Sequence, residues 1–171
     1  MNITTKIIVT DTNIITNLYN ANVLDKFVML DNVYISDMVK NDEIKNTTGN
    51  INIIKLFKTI KSTDRQLLEM MEIAKEKNGL SQYDILNFII ARDNNGLLAT
   101  EDKKLKNYSE NKGVEVIRTL KIISLMKNST IISTEEAIKC CNLLKENSNT
   151  RIPSEDIENL INSLEKATVN N

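Results

Sequence analysis

Three aspartates, Asp11, Asp84 and Asp102, occupy positions where carboxylates could act together. Asp11 directly follows a short apolar run, two residues separate Asp102 from a second run, and Asp84 begins a helical segment that precedes this second run. A fourth acid, Glu43, follows a further apolar run, and its neighbour Asp42 fits the same place. Carboxylates held close together repel one another unless a hard divalent cation such as Mg²⁺ or Mn²⁺ neutralises them. The pattern therefore indicates metal-assisted chemistry at an oxygen-rich site.

Each of these acids also has an ordinary structural explanation. Asp11 could cap the first helix, and Asp84 could be the reciprocal partner of Ser81 in a capping box. Asp102 could complement the dipole of the helix that follows it, and Glu43 could lie on a solvated helix face. Taken singly, each structural role explains its acid, and only the joint arrangement favours a functional site.

The composition limits the chemistry further. The chain has 171 residues, with 22 Lys and Arg, 23 Asp and Glu, and no histidine. Without imidazole, Ser-His-Asp and Cys-His catalysis, zinc bound by histidine and a histidine base near neutral pH are excluded. Hydrolysis would depend on carboxylates, hydroxyls, amines or a metal held by oxygen. The net charge of −1 gives no global attraction to nucleic acid, so such binding would need a local basic patch.

The two cysteines give information about the environment of the protein. Cys140 and Cys141 are adjacent in an apolar segment, which predicts small buried side chains on a helix rather than metal ligands. No apolar run approaches the roughly 20 residues that span a bilayer, and the first residues lack the apolar core of a signal peptide. We therefore expect a cytoplasmic protein with reduced thiols and no membrane partner.

Strands and helices alternate along the chain, and this order predicts how the acids are positioned. Apolar runs predict strands over 6–10, 33–35, 97–99 and 114–117, while the stretch 48–60 fits either a strand or a helical turn. Helices are predicted to begin near the following residues: Asp11, Ser36, Thr63, Ser81, Thr100, Ser133 and Ser154. Such alternation implies a parallel sheet covered by helices on both faces, with ligands at the carboxyl ends of its strands.

Four segments together resemble the ordered signatures of PIN-domain ribonucleases, a family that includes the VapC-type toxins. They are 7–13, Ile35-Ser36 with Glu43-Ile44, 84–91, and 97–102 with Leu105. The resemblance implies a three-layer α/β/α sandwich with a central, mostly parallel sheet of about five strands and extra C-terminal helices. It also implies that Asp11, Glu43, Asp84 and Asp102 bind Mg²⁺ or Mn²⁺, with Asn13 and Thr100 as polar supports.

The same resemblance implies a domain plan and partners. A PIN-like nuclease domain would occupy residues 1–125, and residues 126–171 would form a helical extension packed on the same domain. The substrate would be RNA, contacted by Lys103, Lys104 and Lys106, and the chain would be a homodimer, with an antitoxin protein as a further partner. The apolar stripe 157–164 fits such an interface or packing onto its own domain. A non-catalytic RNA-binding or protein-interaction module of the same fold is the alternative.

Overall fold

The centre of the molecule is a parallel β-sheet. The computed structural model describes residues 6–40, 55–76 and 79–169. In that part of the chain the strands are β1 (Ile8–Thr10), β2 (Val33–Ser36), β3 (Lys58–Ile60), β4 (Leu97–Ala99) and β5 (Glu115–Ile117). Their order in the sheet is β3-β2-β1-β4-β5, and every neighbouring pair is parallel. The chain thus adds β2 and β3 on one side of β1, then returns to place β4 and β5 on the other.

Helices connect these strands and extend beyond the last one. Before β4 they are α1 (Thr12–Asn20), α2 (Leu24–Phe27), α3 (Asp64–Ala74) and α4 (Gln82–Asp93). After β4 they are α5 (Lys103–Asn111), α6 (Thr119–Asn128), α7 (Thr134–Glu146) and α8 (Ser154–Val169). None of the described helices is both long and apolar enough to cross a membrane.

The sheet is buried on both faces, which gives the molecule three layers. Neighbouring residues of β1 point to opposite sides, since Ile8 packs in a cluster with α1, α2 and the C-terminal helices α6 to α8. Val9 packs in a second cluster with α3, α4 and α5. This burial explains why the central strands β1 and β4 are buried along their whole length and consist mainly of apolar residues rather than alternating ones. The predicted α/β/α sandwich with a parallel sheet of about five strands is confirmed.

The C-terminal helices share the core of one face with the sheet. Met126, Ala137 and Leu144 lie in the same buried cluster as Ile8 of β1. Both cysteines are buried on α7 as predicted, and burial raises the pKa of the Cys140 thiol to about 11 and that of Cys141 to about 12. The predicted division after residue 125 falls inside α6 and stays a prediction.

Candidate active site

Asp11 lies at the point where the order of the strands reverses. The chain proceeds from β1 to one side of the sheet and later returns to place β4 on the other, so a crevice opens at the carboxyl ends of β1 and β4. Thr10 of β1 is in register with Ala99 of β4, and the backbone N–H of Asp11 donates to the Ala99 carbonyl at 3.0 Å. The residues that follow these two strands, Asp11 and Thr100, are therefore direct neighbours.

Hydrogen bonds fix the carboxylate of Asp11 from three directions. Its Oδ1 accepts from the backbone N–H of Thr12 at 2.7 Å, which makes Asp11 the N-cap of α1. Its Oδ2 accepts from Asn13 Nδ2 at 2.6 Å and from the Thr100 hydroxyl at 2.8 Å. Asp11 itself is only 5% exposed. The structure thus places Asn13 and Thr100 against Asp11, where the resemblance expects them, and their supporting role stays a prediction.

The same polar groups connect β4 to the segment behind it. Asn13 Oδ1 accepts from the backbone N–H of Glu101 at 2.9 Å, and the Thr100 hydroxyl accepts from that of Asp102 at 3.1 Å. One network therefore joins the start of α1 to the segment after β4. The positions of Asp11 and Asp102 are therefore coupled through the Thr100 hydroxyl, which bonds to both residues.

Asp84 and Asp102 each have the structural role that the sequence offered as an alternative. Asp84 closes a capping box at the start of α4, because its Oδ2 accepts from the Ser81 N–H at 2.8 Å while its own N–H donates to the Ser81 hydroxyl at 3.1 Å. Asp102 is the N-cap of α5, and its Oδ1 accepts from the backbone N–H groups of Lys104 and Leu105. Within the described ranges the other oxygen of each carboxylate has no hydrogen-bond partner.

These three aspartates nevertheless line one cavity of about 380 Å³, which we call the acid pocket. Its lining consists of polar groups from four separate parts of the chain. They are Asp11, Thr12, Asn13, Thr16, Asn17, Ser81, Asp84, Glu101, Asp102, Asn149 and Arg151. The structure therefore brings Asp11, Asp84 and Asp102 together, whereas Glu43 and Asp42 lie outside the described residues.

The donor chemistry of the acid pocket suits a hard cation. All three aspartates offer oxygen, the ligand that Mg²⁺ and Mn²⁺ prefer. Over residues 6–40, 55–76 and 79–169, however, no group of three acidic or cysteine side chains lies close enough to hold an ion together. An ion here would be held by one or two of these carboxylates, with water completing its shell, as is usual for Mg²⁺.

Sequence reasoning did not single out Glu101, the residue between Thr100 and Asp102. Its side chain is 2% exposed and forms an ion pair with Arg118 at 2.6 Å. Its Oε1 also accepts from the backbone N–H of Thr119 at 2.7 Å, at the start of α6. Glu101 thus satisfies the N-terminus of a helix that has no side-chain cap of its own, and its charge is neutralised. An adjacent pair of acids in the sequence gave no signal as to which one would turn inward.

A second cavity, of about 1010 Å³, adjoins the acid pocket, and we call it the lysine cavity. Its lining is dominated by cations, and it shares three residues with the acid pocket. The lining is Gly79, Glu101, Asp102, Lys103, Lys104, Lys106, Asn107, Arg118, Arg151 and Pro153. Lys106 is paired with Glu110 at 2.9 Å, while Lys103 and Lys104 have no acidic partner in the described part of the chain. The three lysines expected to contact RNA are therefore adjacent to the acids, and their role stays a prediction.

Fold and site together define an α/β/α protein with an acidic pocket at the switch point of a parallel sheet. A model of the family DUF3368, described as a PIN domain, matches residues 7–166, and the chain belongs to the PIN-domain family. Members of this family generally have nuclease activity and use divalent metals.

A solved structure supports the same fold. The crystal structure of PAE2754 from Pyrobaculum aerophilum superposes with a TM-score of 0.52 at 18% sequence identity, and the match covers 72% of this chain and 98% of the other. At this identity the likeness concerns the fold alone. No curated protein sequence gives a significant match.

Proposed function

We propose that this protein is a metal-dependent ribonuclease that hydrolyses RNA phosphodiester bonds. The observation that carries the proposal is the acid pocket, a cavity at the switch point of a PIN domain that Asp11, Asp84 and Asp102 all line, beside a cation-lined cavity. Acids and cations in neighbouring cavities suit a substrate that is a polyanion with one bond placed at a metal.

Each side chain has a distinct task in the proposed reaction. Mg²⁺ or Mn²⁺ would lie among Asp11, Asp84, Asp102 and Glu43, held directly by one or two of the carboxylates and by the others through water. When bound, the ion would supply an activated water and would offset the charge that develops on the phosphate. Asn13 and Thr100 hold the Asp11 carboxylate in one orientation through their hydrogen bonds to Oδ2.

Replacement of single acids by asparagine tests the proposal. Asparagine caps a helix about as well as aspartate, so Asp11→Asn and Asp102→Asn should keep their helix starts intact while removing a charge. In Asp84→Asn the amide oxygen can still accept from the Ser81 N–H, so the capping box of α4 should also be kept. We expect purified protein to cleave single-stranded RNA with Mg²⁺ or Mn²⁺ and not in EDTA. Each variant should lose at least about a hundredfold in kcat, since removal of an electrostatic group at a reacting phosphate typically costs that much.

The matched control is Glu136→Gln, which alters the capping box of α7 outside both cavities. It should cleave RNA like the wild type, and thermal melting should show all four variants folded. Cleavage that persists in EDTA, or full activity of Asp11→Asn, would contradict the metal-nuclease proposal.

A non-catalytic RNA-binding module is the second candidate, and one observation favours it. Each of the three aspartates already serves as a helix cap or as a member of a capping box, and within the described residues no three acids are close enough to share an ion. RNA binding without cleavage at any metal concentration would support this candidate.

The toxin role, an antitoxin partner and the homodimer stay predictions from the resemblance. Co-purification with a small partner protein tests the antitoxin, and measurement of the molar mass in solution tests the homodimer.

A further inference from the structure

The acid pocket has a wall that comes from far along the chain. Asn149 and Arg151 line it, although they lie between α7 and α8 and follow the last strand by more than thirty residues. The other lining residues are Asp11 and residues from α1, from the segment after β4 and from the start of α4. The segment between α7 and α8 is therefore part of the pocket itself.

Packing and hydrogen bonds hold this segment in place. Ile152, next to Arg151, is 5% exposed and belongs to the core cluster. The backbone N–H of Thr150 donates to the Asn147 carbonyl at 3.0 Å, and that of Asn149 donates to Asn147 Oδ1 at 2.9 Å. On either side of the segment, Lys145 and Glu158 form an ion pair at 2.6 Å that joins α7 to α8. Because Ile152 is buried in the core, the backbone of its neighbour Arg151 is held at the edge of the pocket.

Arg151 differs from the other arginine at these cavities. Arg118 is paired with buried Glu101, whereas Arg151 has neither an ion pair nor a hydrogen bond within the described part of the chain. Arg151 also lines both cavities, so it stands at the border between the aspartates and Lys103 and Lys104. A guanidinium at such a border can bind a phosphate through two parallel N–H bonds.

We propose that Arg151 binds the phosphate next to the one that is cleaved, as an RNA strand passes from the acid pocket into the lysine cavity. This inference rests on the proposed function and names its substrate as a single strand of several nucleotides, since one nucleotide cannot fill both cavities. The turn between α7 and α8 is then a part of the substrate site rather than an appendage of the fold.

Binding measured without metal tests the inference separately from catalysis. The probe is a fluorescein-labelled uridylate oligomer, titrated in EDTA and followed by anisotropy. Arg151→Ala should raise its Kd roughly tenfold, the loss expected for a charge-assisted pair of hydrogen bonds. The Kd of Arg151→Lys should lie between those of the wild type and Arg151→Ala, because lysine keeps the charge but lacks the planar guanidinium. Mononucleotide binding should be weak in the wild type and should change little in either variant.

The matched control is Lys166→Ala, which removes an exposed cation from α8 outside both cavities and should leave the Kd unchanged. Melting temperatures of all variants should match the wild type, since Arg151 is exposed and holds no partner in the described ranges. With metal added, Arg151→Ala should raise KM for the oligomer more than it lowers kcat.

The outcomes separate the two proposals. Equal oligomer Kd values for Arg151→Ala and the wild type, or no oligomer binding by the wild type, overturn the inference. Loss of binding in Arg151→Ala together with a wild type that never cleaves RNA upholds the phosphate contact and overturns the nuclease proposal.

Discussion

The hydrogen bonds around Asp11 show why a single residue can serve both fold and chemistry. Oδ1 satisfies the start of α1, and Oδ2 accepts from Asn13 in the first turn of α1 and from Thr100, which directly follows β4. A carboxylate whose orientation is fixed in this way loses little freedom when it binds an ion. The structural role and the proposed catalytic role of Asp11 are thus compatible, because both need the carboxylate held in this one orientation.

Removal of the Thr100 hydroxyl tests this positioning. Thr100→Val keeps the shape and deletes one donor to Asp11 Oδ2 and the acceptor for the Asp102 N–H. We expect RNA cleavage to fall by about 10- to 100-fold, with a higher metal concentration needed for half-maximal rate, as is typical when a partner of a ligand is lost. Metal titration of the initial rate gives both quantities.

The control is Thr59→Val on β3, whose hydroxyl accepts from Lys40 away from both cavities. It should leave rate and metal dependence unchanged. A Thr100→Val variant with an unaltered metal titration would show that Asp11 does not need this support.

At the scale of elements, the placement of α4 determines where Asp84 stands. Arg92 near the end of α4 bonds both carboxylate oxygens of Glu69 on α3, at 2.5 and 2.9 Å, and also contacts Asp93. The hydrogen bond from Arg92 lowers the pKa of Glu69. Burial opposes ionisation of Asp93, but bonds from Gln66 and Arg92 outweigh it and lower its pKa as well. These charges fix α3 against α4.

Acid should therefore loosen this pair of helices. Because the folded-state pKa values of both carboxyls are lowered, their stabilisation is present above the ordinary carboxyl range and is lost as pH falls through it. We expect the free energy of unfolding to decline between about pH 5 and pH 3, and Glu69→Gln to cost about 1 kcal/mol near neutral pH and to flatten this decline. Urea titrations at several pH values measure the free energy of unfolding of both proteins.

Glu72→Gln, an exposed carboxyl on the same helix, is the control and should leave the slope with pH unchanged. If the free energy of unfolding of Glu69→Gln changes with pH as that of the wild type does, the ion pair of Glu69 with Arg92 contributes nothing to the loss of stability in acid.

The elements that sequence reasoning found are those with local signals. Thr63, Ser81 and Ser133 each begin a helix with a complete capping box, as predicted. The two helices without a predicted start, α2 and α6, have no side-chain cap from a neighbouring residue. Glu101 supplies that cap to α6 from a distant turn, and such a contact exists only after folding. The sequence predicts either a strand or a helical turn for the stretch 48–60. Its last three residues form β3, because they pair with β2, while 48–54 lies outside the described residues.

The site divides in the same way. Asp11 and Asp102 could be placed from the sequence because Asp11 directly follows a recognisable strand and only two residues separate Asp102 from another, and the ends of neighbouring parallel strands meet. Arg151 had no such signal, since it stands in a polar stretch and reaches the pocket through the packing of α7 against α8. The positions of the two acids could thus be predicted from local sequence patterns, whereas the position of Arg151 depends on tertiary packing.

At the scale of the whole molecule, the charge is nearly balanced but its distribution is uneven. The net charge is −1, yet the lysine cavity brings Lys103, Lys104 and Arg151 together without acidic partners in the described part of the chain. Long-range attraction of RNA is therefore weak, and binding should depend on a few short-range phosphate contacts. The number of such contacts can be read from the dependence of affinity on salt.

Three phosphate contacts to a single strand predict a slope of about −2 in a plot of log K against log salt concentration. Replacing Lys103 and Lys104 together by alanine should reduce this slope by about 1.4, because two contacts are lost. Replacing Lys121 and Lys139, exposed lysines on α6 and α7 outside both cavities, removes the same charge and should leave the slope unchanged. Equal slopes for the two double variants would mean that RNA senses only the overall charge, and the lysine cavity would then have no special part in binding.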